Sequence, residues 1–418
     1  MSAEQDYRLK MPAAKEQQNG LLTTDAQPVL DPSSLPSATD PGLTLEPANA
    51  VEYEHTWRLN CSEWKGFLSD SSYLDRELLL AEAEVAAEGG ATAWILTSSK
   101  LPTNEDGSRP ILASCETNRK TAYISKNGRL EKVISHGIGS VHSPAHYRGR
   151  GYGVKMIQEL DKKLDTYQQL KSNTGRFSVL YSDIGPKFYA KHGWKAFPST
   201  HISLKPIANA GEYHQRVAEI TPKRTIEDLR VQDLAVVAPV CIQALEKRLE
   251  ALSLETPNKT FVSYQPSLAQ LQWHFTREEF LADYLGRKRP VVKGARDAET
   301  GACLIWTRTY AADSAEWHLS ILYTHIPRPY SASDATNIEA ALSALLLRAQ
   351  WEAKQWDMAQ GVELWDPSEE VIGAAQAIAH GQAVKVISRD QEHICSLKWN
   401  GLETDEVIWV ANERFAWC

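Results

Sequence analysis

Short apolar runs and helical stripes alternate twice along this chain, after an opening stretch with no period. Residues 1 to about 50 are rich in Pro, Ser, Thr, Ala and Asp, and Pro28 to Pro47 shows no apolar periodicity, so a disordered tail is expected there. Order is expected from about Val51, with strand character over Glu52 to Leu59. Ser72-x-x-Asp75 reads as a capping box. Leu74, Leu78, Ala81 and Val85 follow at helical spacing up to Gly89-Gly90, a natural stop because the residue past a helix end takes a positive φ. Ala93 to Thr97, Arg109 to Thr117 and Val133 to Ser143 read as strands. A helix from Gly151 to about Tyr167 carries Val154, Ile157, Leu160 and Leu164 on one face. Phe177 to Tyr181 is the next strand, followed by a short helix from Pro186 and a turn at His192-Gly193-Trp194. This is an α/β order with a crossover.

From about residue 211 the pattern starts again. Leu229 to Leu252 is helical, and Leu268 to Tyr284 holds one or two more helices. Val291 to Ala295 and Ala302 to Tyr310 read as a hairpin, and Glu316 to Thr324 as another strand. The helix Asp334 to Asp357 presents Ile338, Leu342, Leu345 and Ala349 to a core. Gly361 to Trp365 is a strand, Asp366-Pro367 opens a helix, and Val384 to Ser388, His393 to Trp399 and Glu406 to Val410 complete the sheet. The order parallels that of the first half and predicts a second, diverged copy of one architecture, although no residue-level repeat is visible. The expected division is a tail at 1–50, one domain at 51–210 and another at 211–418.

Composition narrows the function classes. At 418 residues the chain exceeds one ordinary core. A net charge of −8 provides no global basic field for nucleic acid or anionic lipid. No apolar run approaches membrane-spanning length, and the opening Met1-Ser-Ala-Glu lacks the basic-then-apolar order of a secretory leader. Cys61, Cys115, Cys241, Cys303, Cys395 and Cys418 lie far apart, without CxxC pairs or zinc-spaced histidines, so reduced thiols, no metal and a cytoplasmic location are expected.

The segment with most chemistry is Val141-His-Ser-Pro-Ala-His-Tyr-Arg148-Gly-Arg-Gly151-Tyr-Gly153. It reads as a strand, a turn, then Arg-x-x-Gly-x-Gly entering an amphipathic helix. Glycines at 149, 151 and 153 allow close backbone approach, and the unsatisfied N–H groups of a helix N-terminus favour a pyrophosphate. Arg148, Arg150 and Lys155 add positive charge. A sharp turn needs glycine on steric grounds too, so the loop alone does not decide. A dinucleotide fold expects such glycines after the first strand, and a P-loop expects a terminal Lys-Ser/Thr; neither holds here.

In this order of elements the segment resembles motif A of the GNAT acyltransferases, in which Arg/Gln-x-x-Gly-x-Gly/Ala cradles the CoA pyrophosphate. Phe188-Tyr189-Ala-Lys-His-Gly193-Trp194 resembles a second GNAT signature. The resemblance implies a mixed twisted sheet with helices on both faces, followed here by a diverged GNAT-like α/β domain. It implies acetyl-CoA as cosubstrate, held by Val141, His142, Ser143, Arg148, Gly149, Arg150, Gly151, Tyr152, Gly153 and Ser182, with Tyr189 protonating the departing thiolate. Ser143 departs from the usual apolar residue, Ser182 from the usual Asn and Gly185 from the usual Ala. Leu112-Ala-Ser-Cys-Glu116-Thr, Leu180 to Trp194, Arg277-Glu-Glu-Phe280, Arg348-Ala-Gln-Trp351, Val362-Glu-Leu-Trp365 and Asn412 to Cys418 are similar to the fungal lysine N6-acetyltransferases of lysine catabolism. That similarity implies free L-lysine as acceptor.

A lysine side-chain amine titrates near 10.4, so a base must take its proton, and presenting the neutral form costs roughly 4–5 kcal/mol at pH 7. Candidates are Glu116, the strand histidines His136 and His142, and a terminal carboxylate at Cys418, which some tandem GNAT proteins return to the first domain. The second half lacks Arg-x-x-Gly-x-Gly before its long helix, where Ser331-Ala-Ser-Asp-Ala stands, so no CoA is expected there. It holds nine of the thirteen tryptophans, enough for a core and an aromatic wall. Arg277, Glu278 and Glu279 are polar candidates for reading an amino acid. Rival readings are an acetyltransferase for another primary amine or for protein lysines, and a silent CoA-binding scaffold.

Overall fold

The computed structural model describes residues 27–170, 175–220, 224–327, 332–379, 381 and 383–417. The first half runs β1 (Leu43–Pro47), α1 (Ala50–Trp64), α2 (Asp70–Ala81), β2 (Ala91–Ser98), β3 (Ala113–Lys126), β4 (Arg129–His142), α3 (Tyr152–Leu164), β5 (Phe177–Ser182), α4 (Lys187–Ala190), β6 (Lys195–Ala196) and β7 (Thr200–Leu204). After α5 (Ala210–Ile220) come β8 (Ile226–Leu229), α6 (Val231–Glu255), β9 (Lys259–Tyr264), α7 (Leu268–Tyr284), β10 (Gly294–Asp297), β11 (Cys303–Thr309) and β12 (His318–His325). Helix α8 (Ala332–Gln355), β13 (Gly361–Trp365), α9 (Glu369–Ala377), β14 (Ile387–Ser388), β15 (Ile394–Trp399) and β16 (Glu406–Trp409) complete the chain.

Two sheets share one plan. In the first, β2, β3 and β4 form an antiparallel meander, and α3 crosses over to place β5 parallel to β4. In the second, β10, β11 and β12 form the meander, and α8 crosses over to place β13 parallel to β12. Each sheet also has an antiparallel leading strand, β1 on β2 and β8 on β10. The halves exchange strands. β15 pairs with β5 from Ile394↔Ser182 to Trp399↔Phe177, while β7 pairs with β13 from Val362↔Leu204 to Trp365↔His201. Strands β9 and β16 extend the first sheet through β3. The expected boundary at 210/211 therefore cuts β9, β15 and β16 from the first sheet and β7 from the second.

Two local expectations differ from the structure for one reason, helix capping. Glu52 to Leu59 is not a strand but part of α1, because the Asn49 side chain accepts from the Glu52 N–H while Glu52 accepts from the Asn49 N–H at 2.8 Å. The helix α2 is capped by Ser69 rather than Ser72. The tail also differs: residues 27–49 are ordered, with β1 on the sheet edge and Gln27 exchanging two hydrogen bonds with the Ile111 backbone. Residues 1–26 of that expected tail lie outside the described residues.

Burial follows the helical stripes. Met156, Ile157, Leu160 and Leu164 of α3 pack with Trp94, Leu96 and Leu112 on one face of the first sheet. On its other face, Leu234, Cys241, Leu245 and Leu249 of α6 pack with Ala122, Val133, Phe177 and the C-terminal Phe415, so one core is common to both halves. Beside it, Glu278 on α7 is fully buried and pairs with Lys293 at 2.6 Å and Arg308 at 3.0 Å, and Arg308 pairs in turn with Glu352. Removing one member leaves uncompensated charge in a dry interior. Glu278→Ala is expected to destabilise the protein by about 3–5 kcal/mol, read by chemical denaturation.

Candidate active site

The meander and crossover leave a gap beside β4. Its parallel pairing with β5 runs only from His136↔Ser178 to Ile138↔Leu180, after which the strands part. A register shift between Ser114 and Glu116 opposite β4, with Ser140 at φ +51°, marks a bulge at this point. The bulge aims the Ser140 hydroxyl at the Glu116 carboxylate, to which it donates at 3.0 Å. The backbone of residues 139–142 thus loses its partners on the β5 side and lines a cavity of about 750 Å³.

Glu116 lies deep in that cavity. Trp57 Nε1 donates to it at 3.3 Å, and the Tyr53 hydroxyl is bonded to it as well. Burial, and next the nearby Glu77 carboxylate, push its acid up to about 7, against hydrogen bonds from Ser140, Trp57 and Tyr53 that favour the anion. A carboxyl that titrates there can accept a proton near neutral pH. Tyr189 also lines the cavity, and burial raises its phenol above the ordinary value, so it stands protonated.

The glycine loop enters α3 as its sequence requires. Gly149 and Gly151 have φ of +78° and +85°, and Gly151 is the N-cap, contributing no side-chain cap. A Cβ at Gly149 would meet nothing within 4 Å, so glycine is required there by conformation and the space beside it is open. The first N–H groups of a thirteen-residue helix are left to face an anion. Arg148 lies at the rim, its guanidinium shared between the Ser143 carbonyl at 3.0 Å and Glu63 at 2.8 Å.

Val141, His142, Ser143, Arg148, Tyr189 and Glu116 all line this one cavity. Other expected residues point elsewhere. The Tyr152 side chain is buried, its hydroxyl donating to the Pro36 carbonyl at 2.6 Å, so only its backbone belongs to the loop. The Ser182 hydroxyl donates to the Gly185 carbonyl at 2.7 Å and closes the turn after β5, leaving Asp183 to reach the cavity. Arg150 is exposed, and His136 is bonded to Gln168 away from the cavity. His142 faces the cavity, but burial, then Arg148, lower it to about 4, so it is neutral and a weak base. Cys418 lies outside the described residues.

The second half contributes a wall. Trp273 and Arg277 of α7, His393 and Trp417 line the cavity opposite β4. The chain reaches Trp417 through a docked segment in which Lys120 Nζ donates to the Ala416 carbonyl at 2.7 Å and His274 bonds the Phe415 carbonyl at 3.1 Å. The second sheet has an equivalent gap, since β12 and β13 pair only as far as Ile321↔Leu364. There the Glu413 carboxylate accepts from the Thr324 N–H at 2.7 Å, and Asp366 accepts from the Asn412 N–H at 3.0 Å. In the second sheet the chain's own C-terminal segment thus occupies the gap, leaving about 160 Å³, whereas its counterpart in the first sheet stands open.

Sequence reasoning missed Tyr53, Trp57 and Glu77. The first two form an i, i+4 pair on α1 with rings 4.6 Å apart, visible once Asn49-x-x-Glu52 is recognised as a capping box.

Residues 201–418 match the family described as the LYC1 GNAT-like C-terminal domain. An uncharacterised protein of Saccharomyces cerevisiae is 25% identical over 410 residues, covering 91% of this chain and 99% of its own. A protein of Yarrowia lipolytica named lysine acetyltransferase is 23% identical over 399 residues, covering 85% of this chain and 95% of its own. Among solved structures, a GCN5-related N-acetyltransferase from Kribbella flavida aligns at 12% identity and a TM-score of 0.48, over 85% of this chain and 71% of that one. A probable N-acyltransferase from Enterococcus faecalis aligns at 13% identity and a TM-score of 0.49, over 87% and 74%.

Proposed function

Because this chain belongs to the LYC1 GNAT-like family and is an acyl-CoA-dependent N-acetyltransferase, we propose that it moves the acetyl group of acetyl-CoA to the N6 amine of free L-lysine by direct attack. The observation that carries this reading is the cavity at the parting of β4 and β5, with Glu116 and Tyr189 on its walls and the second half as its cover. A pocket of about 750 Å³ walled by both halves suits a small amine better than an open groove for a peptide. The name of the Yarrowia relative supports lysine as the acceptor.

The glycine loop fits the pyrophosphate of CoA: the open space at Gly149, the positive φ angles of Gly149 and Gly151 and the first-turn N–H groups of α3 present donors to an anion. Acetyl-CoA supplies the activated acetyl thioester. Along residues 139–142 the N–H groups that β5 leaves unpaired offer hydrogen bonds to the pantetheine and to the carbonyl under attack. Glu116 accepts the proton that the ammonium must lose, directly or through water, and Ser140 and Trp57 orient its two oxygens. Tyr189 delivers its phenolic proton to the sulfur as the thiolate leaves. The gap in the second sheet, filled by Asn412 and Glu413, holds no CoA in this reading.

The reading is tested with acetyl-CoA and a panel of free L-lysine, a polyamine and lysine-containing peptides. Thiol release is expected to be fastest with free lysine, with the acetyl group located on N6 by NMR of the product. Equal rates on peptides and free lysine would contradict it, and acetylation at the α-amine would place the acceptor the wrong way round.

A further inference from the structure

Several buried cations among the described residues sit against a carboxylate. Arg76 pairs with Glu77 at 2.6 Å, Arg224 with Asp297 at 2.9 Å, and Lys293 with Glu278 at 2.6 Å. Arg277 departs from this pattern. It lies on α7 beside Glu278, faces the cavity, and has the Trp417 ring 5.2 Å from its guanidinium carbon. Among the described residues no carboxylate forms an ion pair with it. Burial, then the charge of Arg76, hold it down to about 9, while Glu77 acts in the opposite direction. Arg277 is half-buried, and its planar guanidinium fork, free of an anion among the described residues, matches a carboxylate in a bidentate geometry.

Arg277, Glu77 and Glu116 line the same cavity, and Glu77 is paired there with Arg76 at 2.6 Å. The cavity wall therefore carries the Arg277 guanidinium, the Arg76–Glu77 pair and the Glu116 carboxylate beside the parted strands. Free lysine offers an α-carboxylate to the first of these and, at the far end of an apolar stem, an ε-ammonium to the last.

We propose that Arg277 is the residue that selects the acceptor, by binding the α-carboxylate of a free amino acid while its ε-amine reaches Glu116. This inference rests on the reading of the cavity as the acceptor site. It makes the second half a specificity element of the first half's chemistry, since α7 supplies the arginine and Trp417 the ring that supports it. A peptide-bound lysine lacks the free α-carboxylate and gains nothing from Arg277.

The test compares L-lysine with its decarboxylated counterpart, 1,5-diaminopentane, in the wild-type enzyme and in Arg277→Gln and Arg277→Lys. Wild type is expected to prefer lysine by about 100-fold in kcat/KM. Arg277→Gln is expected to lose about 100-fold on lysine, mostly in KM, with little change on the diamine, and Arg277→Lys to recover part of the loss. The KM for acetyl-CoA and the melting temperature report whether each variant is folded. Two results would overturn the assignment: a wild-type enzyme that uses both substrates equally, or a glutamine variant that loses both equally while remaining folded. A wild-type enzyme inert towards lysine but active on another amine would instead overturn the acceptor reading, and this assignment with it.

Discussion

Tyr189→Phe is expected to lower kcat by about 10²- to 10³-fold while leaving CoA affinity and thermal stability close to wild type. The phenol is buried against the cavity, and burial keeps it protonated. Phenylalanine retains the ring and its edge-on contact with Phe188, whose centroid lies 5.0 Å away, so packing is preserved and only the proton donor is lost. The loss falls on the step in which the thiolate departs. Stopped-flow thiol release with isothermal titration of CoA measures the two effects separately; an unchanged kcat would remove Tyr189 from proton transfer.

Glu116→Gln has effects of opposite sign on activity and stability. The amide cannot take the ammonium proton, so kcat/KM is expected to fall by about 10²- to 10³-fold. Stability moves the other way. The folded-state acid is raised from 4.5 to about 7, so between these values the folded protein binds more protons than the unfolded chain. Stability therefore declines as pH rises through that window, by about 3 kcal/mol from this group. The glutamine variant escapes this cost. It is expected to melt above wild type at pH 8 and close to it at pH 4.5, as measured by calorimetry. A variant less stable than wild type at pH 8 would show that the carboxylate is held there for structure.

The fold was legible where periodicity and punctuation agree. The stripe Ile157, Leu160, Leu164 and the glycines before it placed α3, and the order of strands around it placed the crossover. The glycine turn into α3 followed because it is made of backbone at a fixed place in that order. The strand exchange was not legible: β7 and β15 are short, and no local pattern says which sheet a strand joins. The helix α1 was misread because aromatic and β-branched residues near Tyr53 and Trp57 suggested a strand, while a two-residue capping contact decided otherwise. With α1 misread, the aromatic partners of Glu116 could not be placed. Ser182 and Tyr152 were assigned to the cofactor by position in a motif, yet their hydroxyls are taken by Gly185 and Pro36. Side-chain direction is settled by such tertiary contacts, which a motif does not encode.

The central claim is that the gap between β4 and β5 is an acetyl-transfer site whose base is Glu116. The pH dependence of kcat/KM for free lysine, measured in wild type and Glu116→Gln across pH 5.5 to 9 at saturating acetyl-CoA, tests it most directly. Wild-type activity is expected to rise with pH and to break near pH 7, where Glu116 loses its proton, and the variant is expected to lack that limb. The same profile in both enzymes would contradict the assignment.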